Sequence, residues 1–262
     1  MKGIVIQGLL SLLCISVTEQ TFAQKSHKYT IKSKSTPSVF DSLMKQCFKN
    51  KLLRCDSCDM QALRNCMNEY QKHIESSEKD HKKRLCLYAN IYHVWLTVSL
   101  CKSSGLKRLG NNPARLDQDT LLIGKTPFTL SSLRTFILEL SEKHRLQAWC
   151  ALWEGTVSGA SPPKKEWKPE SITSMLTSKA KTYFKSSPEE YSLDRSTHTL
   201  CLSSTLLNVL GIQSVEGKHE FTIILNQILP FLPSEDAAFC MVNKEILKMR
   251  SITVSDRISI DD

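Results

Sequence analysis

The sequence predicts an all-α protein: a disulfide-bonded helical bundle module followed by a larger multi-helix region. Apolar residues recur mostly at three- and four-residue spacing, and glycine is scarce, at 9 of 262 residues. Both observations disfavour turn-rich β architectures. Nine of the ten cysteines lie after residue 23, which indicates covalent bridges formed in an oxidising compartment.

The first 23 residues are typical of an export signal. Lys2 supplies a positive start, and an almost uncharged apolar run extends from Gly3 to Val17. Thr21-Phe22-Ala23 then offers small side chains around a cleavage site before Gln24. The apolar run is shorter than the ~20 residues that a spanning helix needs. We therefore expect a secreted, extracellular protein that does not span the membrane.

Composition divides the chain into five segments. They are a signal peptide (1–23), a flexible basic leader (24–36), a cysteine-rich basic helical module (37–110), a second helical region (111–250) and a tail (251–262). The main boundary is placed between residues 103 and 113, where charge balance, cysteine density and turn chemistry all change.

Apolar periodicity predicts three helices in the cysteine-rich module. The first runs from Pro37 to about Arg54, the second carries the apolar stripe between residues 63 and 74, and a turn at residues 56–59 separates them. The third, over residues 81–101, is apolar on most sides. It is therefore predicted to be the central helix of its bundle.

The second region is also predicted to be helical. A long helix capped by Thr129 or Ser131 runs to residue 153, and Gly155 ends it. Further helices are predicted at 172–184, from Ser187, at 199–210, at 219–229 and at 234–246. Alternating isoleucine and valine from Ile252 onward allow a short edge strand in the tail.

Positive charge is concentrated in the first part of the chain. The formal net charge is +9, and residues 24–110 hold 17 Lys and Arg against 7 Asp and Glu. Residues 111–262 hold 17 against 18. A local excess of this size attracts anionic partners. Outside the cell these are sulfated glycosaminoglycans, anionic membrane surfaces and acidic receptor faces, and not nucleic acid; the alternative is that the lysines only solvate the surface.

These features predict a secreted, non-enzymatic binding protein that engages a cell-surface receptor or another extracellular protein and has polyanion affinity. The candidate partner-binding residues are the basic side chains Lys45, Lys49, Lys51, Arg54, Lys82, Lys83, Arg84, Lys107 and Arg108. The alternative is an extracellular carrier of lipid or another small apolar ligand, built of disulfide-tied amphipathic helices. A carrier predicts an internal cavity or an exposed apolar groove.

The cysteines form the most specific pattern in the sequence. The disulfide candidates are Cys47, Cys55, Cys58, Cys66, Cys86, Cys101, Cys150, Cys201 and Cys240. The first four are spaced symmetrically about residues 56 and 57. In an antiparallel helical hairpin, residues equally far from the turn lie opposite each other. This symmetry predicts a Cys47–Cys66 bridge, with Cys55 near Cys58.

The remaining cysteines leave several pairings open. Cys86 and Cys101 lie on one predicted helix, ~22 Å apart at ~1.5 Å per residue, which exceeds the ~7 Å Cα limit for a disulfide. Each must reach another element, for example Cys101 the hairpin turn and Cys86 the second region. Because the nine cysteines are odd in number, one thiol is either buried and free or links a disulfide-bonded dimer.

No metal, cofactor or catalytic site is predicted. Cys55, Cys58, Cys66 and His73 offer four zinc ligands, but disulfides are favoured in an oxidising compartment. The Cys55-x-x-Cys58 pair lacks the strand-to-helix context of a redox motif. His93, inside the apolar third helix, is more typical of a core histidine than of a catalytic base.

Enzyme motifs also fail on inspection. Gly124-Lys125-Thr126 resembles the end of a phosphate-binding loop, but position 119 is aspartate where the loop needs glycine. His219-Glu220 lacks the second histidine of a zinc-protease helix, and no Gly-x-Ser-x-Gly elbow occurs. A hydrolase with a site dispersed along the chain remains a third option, and it predicts a deep pocket with a Ser or Cys beside a His.

Overall fold

The computed structural model describes residues 38–50, 52–102, 117–155, 160–187, 190–212 and 218–252. The predicted signal peptide, the basic leader, the whole boundary at 103–113 and all but two residues of the tail lie outside these ranges.

The described residues form nine α-helices and seven short β-strands. The helices are α1 (Val39–Cys47), α2 (Met60–Lys72), α3 (His81–Lys102), α4 (Leu130–Leu140), α5 (Arg145–Ala151), α6 (Ile172–Ser186), α7 (Ser204–Val209), α8 (Lys218–Ile228) and α9 (Ser234–Val242). The strands are β1 (Phe48–Lys49), β2 (Leu52–Leu53), β3 (Leu121–Ile123), β4 (Thr126–Phe128), β5 (Tyr191–Asp194), β6 (Thr199–Ser203) and β7 (Lys248–Ile252).

The fold is mixed α/β, so the predicted all-α class is wrong. Helices hold about 61% of the described residues, and strands hold 13% in three small sheets. The hairpins β1–β2 and β3–β4 are too short to show a two-residue alternation in sequence. In β6, Leu200 and Leu202 are buried while Thr199 and Cys201 are half-buried. That alternation is typical of a strand and was contained in the stripe interpreted as a helix over 199–210.

α1 is followed by a β-hairpin. The Ser38 side chain caps the helix by accepting a hydrogen bond from the Asp41 amide at 3.1 Å. The helix ends at Cys47 and not near Arg54, because the chain reverses at Asn50 in a left-handed conformation, φ 51. The Arg54 amide donates to the Cys47 carbonyl at 2.8 Å, which extends the hairpin register.

α3 lies at the centre of the packing, which confirms the helix predicted over residues 81–101. Every residue from Leu85 to Cys101 is buried, on all sides of the helix. α2 and α4 pack against it. A helix buried all round must place its polar side chains against partners or leave them in an apolar environment, and Asn90 and His93 show these two outcomes.

The long helix predicted to end at residue 153 is two helices. Thr129 and Ser132 form a reciprocal capping box at the start of α4. The chain then bends at Glu142, whose φ of 44 is left-handed, and a 3-10 turn leads into α5. Gly155 has φ 82, and a Cβ there would lie 3.1 Å from a methyl carbon of Leu100 on α3. Glycine therefore suits both the backbone and the close approach.

The segment before α6 is fixed to the central helix. The Asn90 side-chain amide donates to the Trp167 carbonyl at 3.0 Å, and the Trp167 N–H donates to the Asn90 side-chain oxygen at 2.9 Å. The Glu166 amide donates to the Asp41 carboxylate at 2.7 Å. These bonds set the position from which α6 begins.

The third sheet is formed by three strands of the last part of the described chain, in the order β5-β6-β7. β5 and β6 pair antiparallel, and β6 and β7 pair parallel. β7 reaches the tail only with Ser251 and Ile252, and the rest of the strand predicted from Ile252 onward lies outside the described residues. The Tyr191 hydroxyl donates to the Asp236 carboxylate at 2.8 Å, which ties the sheet to α9.

Candidate anion-binding face

α6 presents one side to the core and the other to solvent. Its buried side chains are Ile172, Leu176, Ala180, Tyr183 and Phe184, spaced for one helical face. The opposite side carries short hydroxyl side chains and two lysines. We define the α6 face by these residues and two neighbours: Thr173, Ser174, Thr177, Ser178, Lys181, Thr182, Lys185, Lys82 and Glu170.

The α6 face forms an open depression of about 750 Å³. Its cations are Lys82 from the first turn of α3 and Lys181 and Lys185 from α6, and all three are exposed. Within the described part of the chain none of the three forms an ion pair. Among the described residues that line it, Glu170 is the only one with a carboxylate. The face therefore carries unneutralised positive charge.

The serine and threonine side chains of the α6 face are short, and two of their hydroxyl groups donate hydrogen bonds to backbone carbonyls of the same helix. The Thr177 hydroxyl donates to the Thr173 carbonyl at 3.0 Å, and the Thr182 hydroxyl donates to the Ser178 carbonyl at 3.0 Å. Their oxygen lone pairs accept further bonds, and their small size leaves room between the lysines. Lys181 and Lys185 stand four residues apart, a like-charge arrangement that destabilises a helix by about 0.2–0.5 kcal/mol. A bound anion would offset this repulsion.

A second depression lies beside α1. This groove of about 920 Å³ is lined by three lysines. They are Lys45 of α1, and Lys164 and Lys165 of the segment between α5 and α6. Its remaining lining residues are Asp41, Ser42, Met44, Gln46, Phe48, Asn50 and Pro162. The structure thus separates Lys45 and Lys82, which line different depressions.

The other predicted basic residues that the structure describes line neither depression. Lys49 is exposed on β1, and Arg54 forms an ion pair with Asp56 at 4.0 Å. The Lys83 amide donates to the Asp80 carboxylate at 2.9 Å, and the Arg84 guanidinium lies over the rings of Tyr88 and Phe136. Lys51, Lys107 and Arg108 lie outside the described residues.

Sequence reasoning missed the two lysines of α6. The charge excess lies before residue 111. Charge totals therefore indicate anion-binding residues only in that part of the chain. Lys181 and Lys185 come from a region of balanced charge and meet Lys82 only because α6 lies beside the start of α3. The available signal was local: two lysines four residues apart among small hydroxyl residues, opposite the apolar stripe.

The cysteines pair differently from the predicted clamp. Cys55 is bonded to Cys101, with a Cα–Cα distance of 5.0 Å, while Cys47 and Cys66 are both free thiols. The reason is the hairpin: the chain reverses at Asn50, so Cys47 lies opposite Arg54 and not opposite Cys66. The remaining free cysteines are Cys58, Cys86, Cys150, Cys201 and Cys240.

Three of the free thiols are buried and unreactive. Burial raises the pKa of Cys86 to about 12 and of Cys240 to about 11. Burial also raises the pKa of Cys150 well above its ordinary value. All three are therefore protonated at neutral pH, and a protonated thiol is a poor nucleophile.

His93 is buried in α3 between aromatic rings. Its ring centroid lies 5.6 Å from that of Tyr92 and 5.5 Å from that of Trp167. Neither ring nitrogen has a hydrogen-bond partner among the described residues. Burial, with a smaller contribution from Lys179, lowers the pKa of His93 to about 3. A histidine that is uncharged, unpartnered and closed to solvent has no route to a substrate.

The described residues include no cluster of three or more His, Cys, Asp or Glu placed to hold a metal ion. In the same part of the chain, no helix combines the length and the apolar character needed to cross a membrane. Comparison with protein-family models, curated proteins and solved structures finds no match.

Proposed function

We propose that the protein is an extracellular, non-enzymatic binding protein whose α6 face binds a sulfated polysaccharide. This binding concentrates the protein near a cell-surface partner. The observation that carries this proposal is the convergence of Lys82, Lys181 and Lys185 on one open depression, where none of them forms an ion pair with another described residue. Sulfate groups spaced along a chain match separate ammonium groups on a surface. An open depression also suits a chain-like ligand that enters and leaves at its ends.

The proposal extends the predicted polyanion affinity and changes its location. Lys82 is common to both, while Lys181 and Lys185 replace the other predicted residues of the cysteine-rich module as principal contacts. Lysine and hydroxyl side chains recognise sulfate by charge and by hydrogen bonds, without a requirement for apolar contact.

The carrier alternative has weaker support. The groove beside Lys45 contains three apolar lining residues, Met44, Phe48 and Pro162, against seven polar ones. Drug-sized apolar ligands bind in pockets lined mainly by hydrophobic side chains.

Replacing all three lysines together, as K82Q/K181Q/K185Q, is expected to weaken heparin binding roughly 100-fold, because a lysine near an anionic surface contributes about 1 kcal/mol. The slope of log Kd against log salt should also fall by about 2 when three ionic contacts are lost. Titration of heparin at several salt concentrations measures both quantities.

The matched control replaces three exposed lysines elsewhere, as K49Q/K125Q/K244Q, which changes the net charge equally. This control variant is expected to bind within about threefold of the wild type, since distant charges act only through a screened field. Equal losses in both variants would mean that net charge, and not the α6 face, determines binding. If the partner is an acidic protein and not a polysaccharide, the protein should bind that partner but show no affinity for heparin.

A further inference from the structure

Four cysteine sulfurs meet where α1, the turn before α2 and the end of α3 come together. Cys55 lies in a 3-10 turn, Cys101 lies in the last turn of α3, and the two are bonded across 46 residues of sequence. Cys58, directly after the turn, places its Sγ 3.8 Å from the Sγ of Cys101. Cys47, the last residue of α1, interacts with Cys58, and this interaction shifts the pKa of both thiols.

The contact between Cys58 and Cys101 differs in kind from an ordinary hydrogen bond. Cys101 is in a disulfide and has no proton to donate, so the 3.8 Å distance is a direct approach of one sulfur to another. The atom beside the disulfide is therefore a thiol sulfur, which is the nucleophile that attacks disulfides when it loses its proton.

The neighbouring thiol favours loss of that proton. The hydrogen bond between the two sulfurs lowers the pKa of Cys58 and raises the pKa of Cys47, because the Cys47 S–H donates to the Cys58 thiolate. Burial opposes the change at Cys58. When protonated, Cys58 donates to the Arg54 carbonyl at 3.3 Å, so its sulfur is held in place in that form also.

We propose that Cys47, Cys55, Cys58 and Cys101 form a thiol–disulfide exchange centre, in which Cys58 attacks the Cys55–Cys101 bridge. The Cys58 thiolate forms a bond to the Sγ of Cys101, the bond between Cys101 and Cys55 breaks, and Cys55 leaves as a thiolate that takes a proton from solvent. One disulfide and one thiolate are present before and after the step, so no oxidant or reductant is consumed. Cys47 supplies the hydrogen bond and keeps its own proton.

The geometry assigns distinct roles to the members of the centre. Cys55 and Cys58 flank one 3-10 turn and compete for the same partner, and both are half-buried and within reach of solvent. Cys101 is buried at 8% exposure and serves as the fixed partner. Cys47 is fully buried and acts as a positioning residue. The exchange takes place within these four cysteines and is independent of polysaccharide binding.

Disulfide mapping of the intact protein tests the exchange. The protein is held at about pH 8, near the ordinary pKa of a thiol, then quenched with acid, alkylated with a maleimide and digested. We expect two populations of peptides, one joining Cys101 to Cys55 and one joining Cys101 to Cys58, with Cys55 alkylated in the second. Protein kept in acid throughout should not interconvert, because the protonated thiol does not attack.

Three variants separate the roles. Cys55→Ser should trap the Cys58–Cys101 bridge in most molecules. Cys47→Ala should slow the exchange several-fold, because Cys58 loses the hydrogen bond that lowers its pKa, while Cys47→Ser, which keeps a hydrogen-bond donor, should slow it less. Cys66→Ser removes a free cysteine outside the centre and should exchange at the wild-type rate.

Two results would overturn the proposal. One is a wild-type protein that shows only the Cys55–Cys101 bridge at all times. The other is a protein isolated with Cys47 and Cys58 fully bonded to each other, since no attacking thiol would then exist. The wild-type time course needs no substitution, so the test holds even where a variant fails to fold.

Discussion

Replacing Asn90 with leucine is expected to lower the free energy of unfolding by about 3 kcal/mol. The Asn90 side chain satisfies both the carbonyl and the N–H of Trp167 inside the protein. Leucine makes neither bond, and a buried backbone group without a partner costs about 1–3 kcal/mol. Urea unfolding followed by tryptophan fluorescence measures the change.

Asn65 provides the matched control for Asn90. It is exposed on α2, and its side chain accepts a hydrogen bond from Gln61 at 3.0 Å. Asn65→Leu should change the free energy of unfolding by less than about 0.5 kcal/mol, as surface substitutions generally do. If Asn90→Leu were equally mild, the segment around Trp167 would not depend on α3 for its position, and the start of α6 would need another anchor.

The second large effect concerns pH. In the unfolded chain a histidine has a pKa of about 6.5, whereas burial in the native protein lowers the pKa of His93 to about 3. Between these values the unfolded state binds a proton that the native state excludes. The contribution of neutral His93 is therefore complete above about pH 6.5 and is lost as the pH falls toward 3, by up to about 1.4 kcal/mol per pH unit.

His93→Leu isolates this effect from the other groups that titrate in acid. We expect the difference in unfolding free energy between wild type and His93→Leu to shift in favour of the variant steadily below about pH 6. The exposed His73, changed to glutamine, serves as control and should leave the pH dependence of the wild type unaltered. Parallel pH profiles for wild type and His93→Leu would show that His93 becomes protonated in the native state.

Sequence reasoning succeeded where one pattern dominated a long segment. The third helix is apolar over almost five turns, and the structure buries it from Leu85 to Cys101. It failed where a short backbone event interrupted a pattern. The left-handed residues Asn50 and Glu142 end a predicted helix and divide another, yet neither is the glycine that usually marks such a conformation.

The cysteine prediction failed for the same physical reason. Mirror symmetry about residues 56 and 57 implies a bridge only if the chain reverses there. The reversal lies instead at the β1–β2 hairpin, which brings Cys47 toward Cys58 and leaves Cys55 to bond Cys101. The suggestion that Cys101 reaches back to the turn agrees with the structure, because it rested on the length of a continuous helix and not on symmetry.

The candidate binding face was only partly within reach of sequence analysis. Lys82 was identified from the charge excess of the first module. Its partners Lys181 and Lys185 are about a hundred residues away in sequence, and only tertiary packing shows that they share a surface. Charge totals over a segment indicate that an anionic partner is attractive, but they do not locate the surface.

Lysine footprinting with a size-defined heparin oligosaccharide tests directly whether the α6 face binds the polysaccharide. The protein is acetylated briefly with and without the oligosaccharide, and the modification of each lysine is measured by mass spectrometry. The account predicts strong protection of Lys82, Lys181 and Lys185, with unchanged reactivity at Lys49, Lys125 and Lys244. Uniform reactivity at all six, or protection confined to Lys45, Lys164 and Lys165, would contradict it.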